Sequence, residues 1–99
     1  MRYDDPVTFV VGSTDQLWAR TADRFKTDLS AATLQLRTKA PDGTFSAWAT
    51  PAYTDLSEAA TGTLEAGMDY TATVIGIHEL QMKVGPTILK VGAFQVVAP

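Results

Sequence analysis

Cysteine is absent from this 99-residue chain, and histidine occurs once, at His78. The first absence excludes disulfides and thiolate chemistry. Together the two exclude a transition-metal centre built on cysteine or clustered histidine. No apolar run approaches the roughly 20 residues that span a bilayer. The opening MRYDDPVTF lacks the apolar h-region of a signal peptide, which predicts a protein made in the cytoplasm without Sec export. Positive charge is scarce: 8 Lys and Arg stand against 11 Asp and Glu, a net charge of −3. That balance gives no footprint for nucleic acid or anionic lipid, so neither nucleic acid nor membrane is an expected partner. Sustained 3.6 periodicity, internal repeats and low-complexity tracts are missing as well.

Catalytic and phosphate-binding motifs are also lacking. There is no G-x-S-x-G elbow and no glycine-rich phosphate loop. Asp4, Asp5, Asp15, Asp23 and Asp28 lack the spacing of a calcium loop and read as solvated turn carboxylates. His78 sits beside Glu79, but a catalytic histidine needs a nucleophile or acid partner within hydrogen-bond reach and the chain offers no nucleophile elbow, so a surface or structural histidine is expected. The resulting expectation is a protein that is not an enzyme and needs no cofactor and no metal.

What the chain does contain is β-patterning, at a length that predicts one domain with one core. Hydrophobic residues make up 45% of it, ordinary for a globular protein. The organising stretch runs from Asp28 to Asp55. Leu34 and Leu36 alternate with Gln35, Arg37 and Lys39, the period-2 signature of a half-buried strand. Ala40-Pro41-Asp42-Gly43 supplies turn chemistry, with Pro41 presetting φ and Gly43 free to adopt the left-handed conformation. Thr44 to Tyr53 is then predicted to return as the partner strand, ending near Pro51.

Taken in order, residues 1–6 read as a polar arm before a domain over residues 7–99. Val7, Phe9 and Val11 alternate in a first strand until Gly12-Ser13-Thr14-Asp15 breaks it. Gln16 to Thr21 reads as a second, with Leu17 and Ala19 on one face and Trp18 and Arg20 on the other. Ala22 to Lys26 fits either an extended edge or a helical turn. Leu56 to Ala59 suggests one helical turn, Thr61 to Ala66 a weak strand, and Glu65 to Asp69 a turn. Tyr70, Ala72 and Val74 alternate in a further strand, with a bulge expected at Gly76. Leu80 to Gly85 reads as a crossover. In the last stretch Leu89 and Val91 share one parity and Phe94 and Val96 the other, so a bulge at Gly92 would restore one buried face. About seven short strands at roughly 10-residue spacing predict an all-β fold, a single antiparallel β-sandwich. Its expected core comprises Leu34, Leu36, Phe45, Tyr70, Val74, Leu89 and Phe94.

Candidate partner-binding residues come from aromatics and strand edges. Trp18 and Trp48 lie on the parity opposite to the apparent core residues of their strands. Each either packs inside through a local parity change or is exposed as an interface anchor, the use for which tryptophan is enriched. Exposed tryptophan also stacks sugars, which keeps a carbohydrate-binding or adhesion module open. The first strand, Val7 to Val11, and the final one, Gly92 to Ala98, carry no charge, unlike protected sheet edges. Either they pair with each other, or one is covered by another subunit. In the second case the arm residues Tyr3, Asp4 and Asp5, together with Val97, would contact a neighbour.

Four segments, VTFVV, DLSAATLQLRTKAPDGTF, LEAGMDYTATV and PTILKVGAFQVV, occur in that order. Together they resemble the immunoglobulin-like sandwich modules of tailed-bacteriophage virion proteins, such as the N-terminal domain of baseplate upper proteins. Asp28-Leu29-Ser30, Asp42-Gly43 and Gly67 with Tyr70 carry the resemblance, which covers most of the chain. It implies an immunoglobulin-like fold, no catalytic residue and a structural, many-copy role in a virion. The simplest such role is a capsid decoration (cement) protein contacting other virion proteins and copies of itself. A tail or baseplate attachment module is the alternative.

Overall fold

Period-2 patterning builds most of this molecule. A computed structural model describes residues 7–21, 25 and 27–99, and no side-chain detail is drawn for Val7. The expected arm, with Tyr3, Asp4 and Asp5, lies outside these residues, as does most of the ambiguous segment 22–26. Seven strands are present among the described residues: β1 (Val7–Val10), β2 (Thr14–Arg20), β3 (Leu34–Lys39), β4 (Tyr53–Asp55), β5 (Glu65–Thr71), β6 (Gly76–Val84) and β7 (Thr87–Val97). A 3-10 turn at Ala59–Thr61 lies between β4 and β5. The protein is all-β, with two sheets ordered β1-β7-β6-β3 and β2-β5-β4.

The inward residues of both sheets form one hydrophobic cluster. Leu17, Ala19 and Ala66 come from the three-stranded sheet, and Phe9, Leu36, Leu80, Met82, Phe94 and Val96 from the four-stranded one. Phe9, Tyr70 and Phe94 meet edge to face, with centroids 5.0–5.4 Å apart, the arrangement that ring quadrupoles favour. Leu36 and Phe94 are buried as expected, and Leu34, Tyr70 and Leu89 are half-buried against the cluster.

One strand pair departs from the antiparallel expectation. β1 runs parallel to β7, with Val7 opposite Phe94 and Val10 opposite Val97. The uncharged first strand therefore pairs with the uncharged end of the last, residues 94–97 of β7. No hairpin dictates the direction of β1, because the chain leaves it for the other sheet. Val11 N–H donates to the Val97 carbonyl at 3.0 Å, and Gly12 N–H to that of Ala72 at 2.9 Å. The crossing is thus stitched to both sides.

The organising stretch is half right. The turn forms: Gly43 N–H donates to the Ala40 carbonyl at 2.9 Å, and Asp42 Oδ1 accepts from Thr44 N–H at 2.9 Å. Gly43 has φ 92°. The return, however, is not a regular strand. It touches β3 through isolated bridges, Lys39 with Phe45 and Leu36 with Ala49. The return therefore covers four steps while β3 covers three. Ser46 explains the mismatch, because its Oγ accepts from Thr38 N–H at 2.9 Å in the place of a backbone carbonyl. The extra residue breaks the parity, so Phe45 lies 44% exposed rather than in the core. Regular pairing resumes at β4, in the other sheet, against β5.

Four further expectations change. β5 runs straight through Gly67 instead of turning there, because the Trp18 ring covers the space that a side chain would fill. β5 ends at Thr71, which leaves Val74 in the connection to β6, 48% exposed and outside the core. The expected crossover at 80–85 is instead the centre of β6, where His78, Leu80, Met82 and Val84 alternate inward. The two residues Gly85 and Pro86 join it to β7. Gly76 opens β6 rather than bulging within a strand. In β7 the partners jump from Gly92 to Lys90 between Leu80 and Gln81. Val91 is then the extra residue, and the inward parity changes there as the sequence pattern required.

Candidate functional site

The outward positions of β3, β6 and β7 line up by register into one surface. Arg37 faces Gln81, Lys39 faces Glu79, Gln81 faces Lys90, and Lys83 faces Ile88. Of the five lysines and arginines among the described residues, Arg37, Lys39, Lys83 and Lys90 sit here, against one acid, Glu79. Ile77, Ile88 and Val10 also point outward, 60%, 50% and 41% exposed.

Arg37 is the organising side chain. Its guanidinium carbon lies 3.9 Å from the Phe45 ring centroid and 4.3 Å from that of Trp48. These are cation–π distances. The broken parity of residues 44–49 makes this possible, since it brings residues three apart to one side. Arg37 Nε donates to Gln81 Oε1 at 2.8 Å, and Gln81 Nε2 donates to Glu79 Oε2 at 2.6 Å. Lys90 Nζ stands 3.6 Å from Glu79 Oε1. The Gln81 hydrogen bond, and then the charge of Lys90, hold the Glu79 carboxyl below its ordinary 4.5. Lys39 and Lys83 extend the cationic surface past Phe45 and Trp48, at 5.5 and 5.8 Å from the respective ring centroids.

The outer face of the other sheet is built in rows. Trp18, Gly67 and Tyr53 are cross-strand partners, as are Arg20, Glu65 and Asp55, and Gln16 with Asp69. The Trp18 indole lies over Gly67, where a Cβ would come within 2.8 Å of Cδ2. Its Nε1–H donates to Gln16 Oε1 at 3.0 Å, and its ring is near-parallel to Tyr53 at 6.0 Å and 26°. Tyr53 O–H donates to Asp69 Oδ1 at 3.0 Å, and this bond to a carboxylate raises the phenol's pKa. Trp18 therefore packs outward against its own sheet, half-buried.

His78 is a core residue. It is buried, stacked on Phe94 at 5.0 Å and 11°, and its Nε2–H donates to the Val74 carbonyl at 2.8 Å. An open cleft of about 270 Å³ beside it is lined by Tyr70, Thr73, Val74 and Phe45. Burial raises the Tyr70 phenol above its ordinary value. No group of three His, Cys, Asp or Glu able to hold a metal occurs among the described residues.

Of the sequence-predicted site residues, Trp48 belongs to the cationic face and Trp18 to the opposite one. Val97 lies at the rim of the cationic face, opposite Val10 and half-buried. Tyr3, Asp4 and Asp5 lie outside the described residues. Sequence reasoning missed Arg37 and the three lysines. The signal available was the polar parity of β3 and β6, which marks solvent-facing positions without revealing that they converge. No family model matches this chain, and no curated protein matches it.

Proposed function

We propose that this protein is a non-enzymatic, immunoglobulin-like structural module of a tailed-bacteriophage virion. In its simplest form it is a capsid decoration protein that docks on neighbouring subunits through the outer face of its four-stranded sheet. One observation carries the docking surface: four of five described cations and three exposed aliphatic side chains share that face with the Arg37–Phe45–Trp48 stack. Arginine and aromatic side chains are enriched at protein interfaces. The strand order supports the immunoglobulin-like reading. β2-β5-β4 and β7-β6-β3 follow the B-E-D and G-F-C orders of that fold, with the first strand moved to the G side. The virion setting rests on the segments from VTFVV to PTILKVGAFQVV. Tail or baseplate attachment is the nearest alternative, separated by copy number per particle.

The test is binding to purified particles with copy counting by mass spectrometry. Hundreds of copies, released by Lys83→Glu, support decoration, and a few tens of copies support the tail. A folded Lys83→Glu variant retained like wild type removes this face from the proposal. A second reading, a carbohydrate-binding or adhesion module, draws on the Trp18–Tyr53 pair. Its sign is a tryptophan fluorescence change on glycan titration that Trp18→Ala abolishes.

A further inference from the structure

We infer that the outer faces of the two sheets dock on each other between copies, so that the protein self-associates head to tail. The inference rests on the proposed role of the four-stranded face in docking and names a partner for it, a second copy of this chain.

Charge complementarity is the first argument. The four-stranded face carries Arg37, Lys39, Lys83 and Lys90 with Glu79, a net +3. The three-stranded face carries Glu65, Asp55 and Asp69 with Arg20, a net −2. Because the inner faces share one core, these outer faces look in opposite directions. A two-fold dimer through either face would oppose like charges, whereas a head-to-tail contact opposes unlike ones. The apolar content is the second argument. Ile88, opposite Lys83 on one face, would meet the Trp18–Tyr53 row of the other. Single-stranded nucleic acid fits less well, since Arg37 already engages the rings of Phe45 and Trp48 that bases would need.

Sedimentation velocity on the full chain tests this. Species larger than the monomer, growing with concentration, are expected at about 0.01 M salt, with reversal to monomer at about 1 M, where the Debye length is about 3 Å. Lys83→Glu on one face and Asp69→Lys on the other should each weaken association about tenfold or more. Circular dichroism is to match wild type in both variants. Mixing the two variants should restore association, because each retains the face the other has lost. A wild type monomeric at low salt overturns the inference. Salt-independent association, or association unmoved by Asp69→Lys, overturns it too. Particle binding keeps the two ideas apart. If the wild type is monomeric yet Lys83→Glu abolishes particle binding, the docking face stands and self-association falls. If the wild type is monomeric and Lys83→Glu still binds particles like wild type, both fall.

Discussion

The guanidinium of Arg37 contacts two rings that the chain places beyond a turn, Phe45 at 3.9 Å and Trp48 at 4.3 Å. The contact ties the irregular return segment to β3, where two isolated bridges would otherwise hold it. Arg37→Ala should cost about 1 kcal/mol of stability, from exposed cation–π pairs of about 0.5–1 kcal/mol each. Urea unfolding measures it. Arg37→Lys should recover little, since an ammonium cannot lie flat against a ring. A lysine variant as stable as wild type would show that charge alone matters here.

Leu36 and Phe45 separate core from surface. Leu36 is fully buried, so Leu36→Ala should cost about 2–5 kcal/mol. Phe45→Ala and Val74→Ala, at positions that alternation alone would bury, should each cost about 1 kcal/mol or less, as surface changes do. Denaturation midpoints for the three variants check the order. A Phe45→Ala loss equal to that of Leu36→Ala would place Phe45 in the core after all.

Gly76 packs on Pro41. It has φ 132°, and a Cβ there would approach Pro41 Cγ to 2.6 Å. Gly76→Ala should therefore destabilise by about 1–3 kcal/mol through backbone strain plus the clash. Pro41→Ala removes the 2.6 Å contact with Cγ, keeps the 3.2 Å one with Cβ and leaves the strain, so the double variant should recover part of the loss. A double-mutant cycle reads the coupling. Strict additivity would mean that the two residues do not meet.

Glu79 makes stability depend on acid. Its folded pKa is held below the ordinary 4.5 by Gln81 and Lys90. Between the folded and unfolded values the unfolded chain binds more protons, so stability rises with pH there. The contribution is present above about 4.5 and disappears as pH falls through the lower, folded value. Asp28 and Asp42, lowered by hydrogen bonds from Ser30 and Thr44, act in the same direction from 3.8 downward. Urea midpoints from neutral to acid pH should show a shallower decline in Glu79→Gln than in wild type. Parallel declines would assign the acid sensitivity elsewhere.

Much of the fold was legible locally. Leu17 and Ala19 against Trp18 and Arg20, Leu34 and Leu36 against Gln35 and Arg37, and the parity change near Gly92 are all period-2 facts. A strand's two faces are set by neighbours in sequence, so such facts survive folding. The Asp42-Gly43 turn is equally local. Where the return from that turn went was not, because Ser46 Oγ replaced a backbone acceptor and no pattern announces that. Gly67 read as a turn residue until a tryptophan from another strand covered it. The direction of β1 was set by β7, more than eighty residues away. The cationic face is the clearest case. Arg37, Lys39, Lys83 and Lys90 are scattered in a chain of net charge −3, and sequence alone placed only Arg37 and Lys39 on the wet face of a strand. Tertiary structure decided that they share one surface, because strand register, a long-range property, aligns the outward positions of β3, β6 and β7.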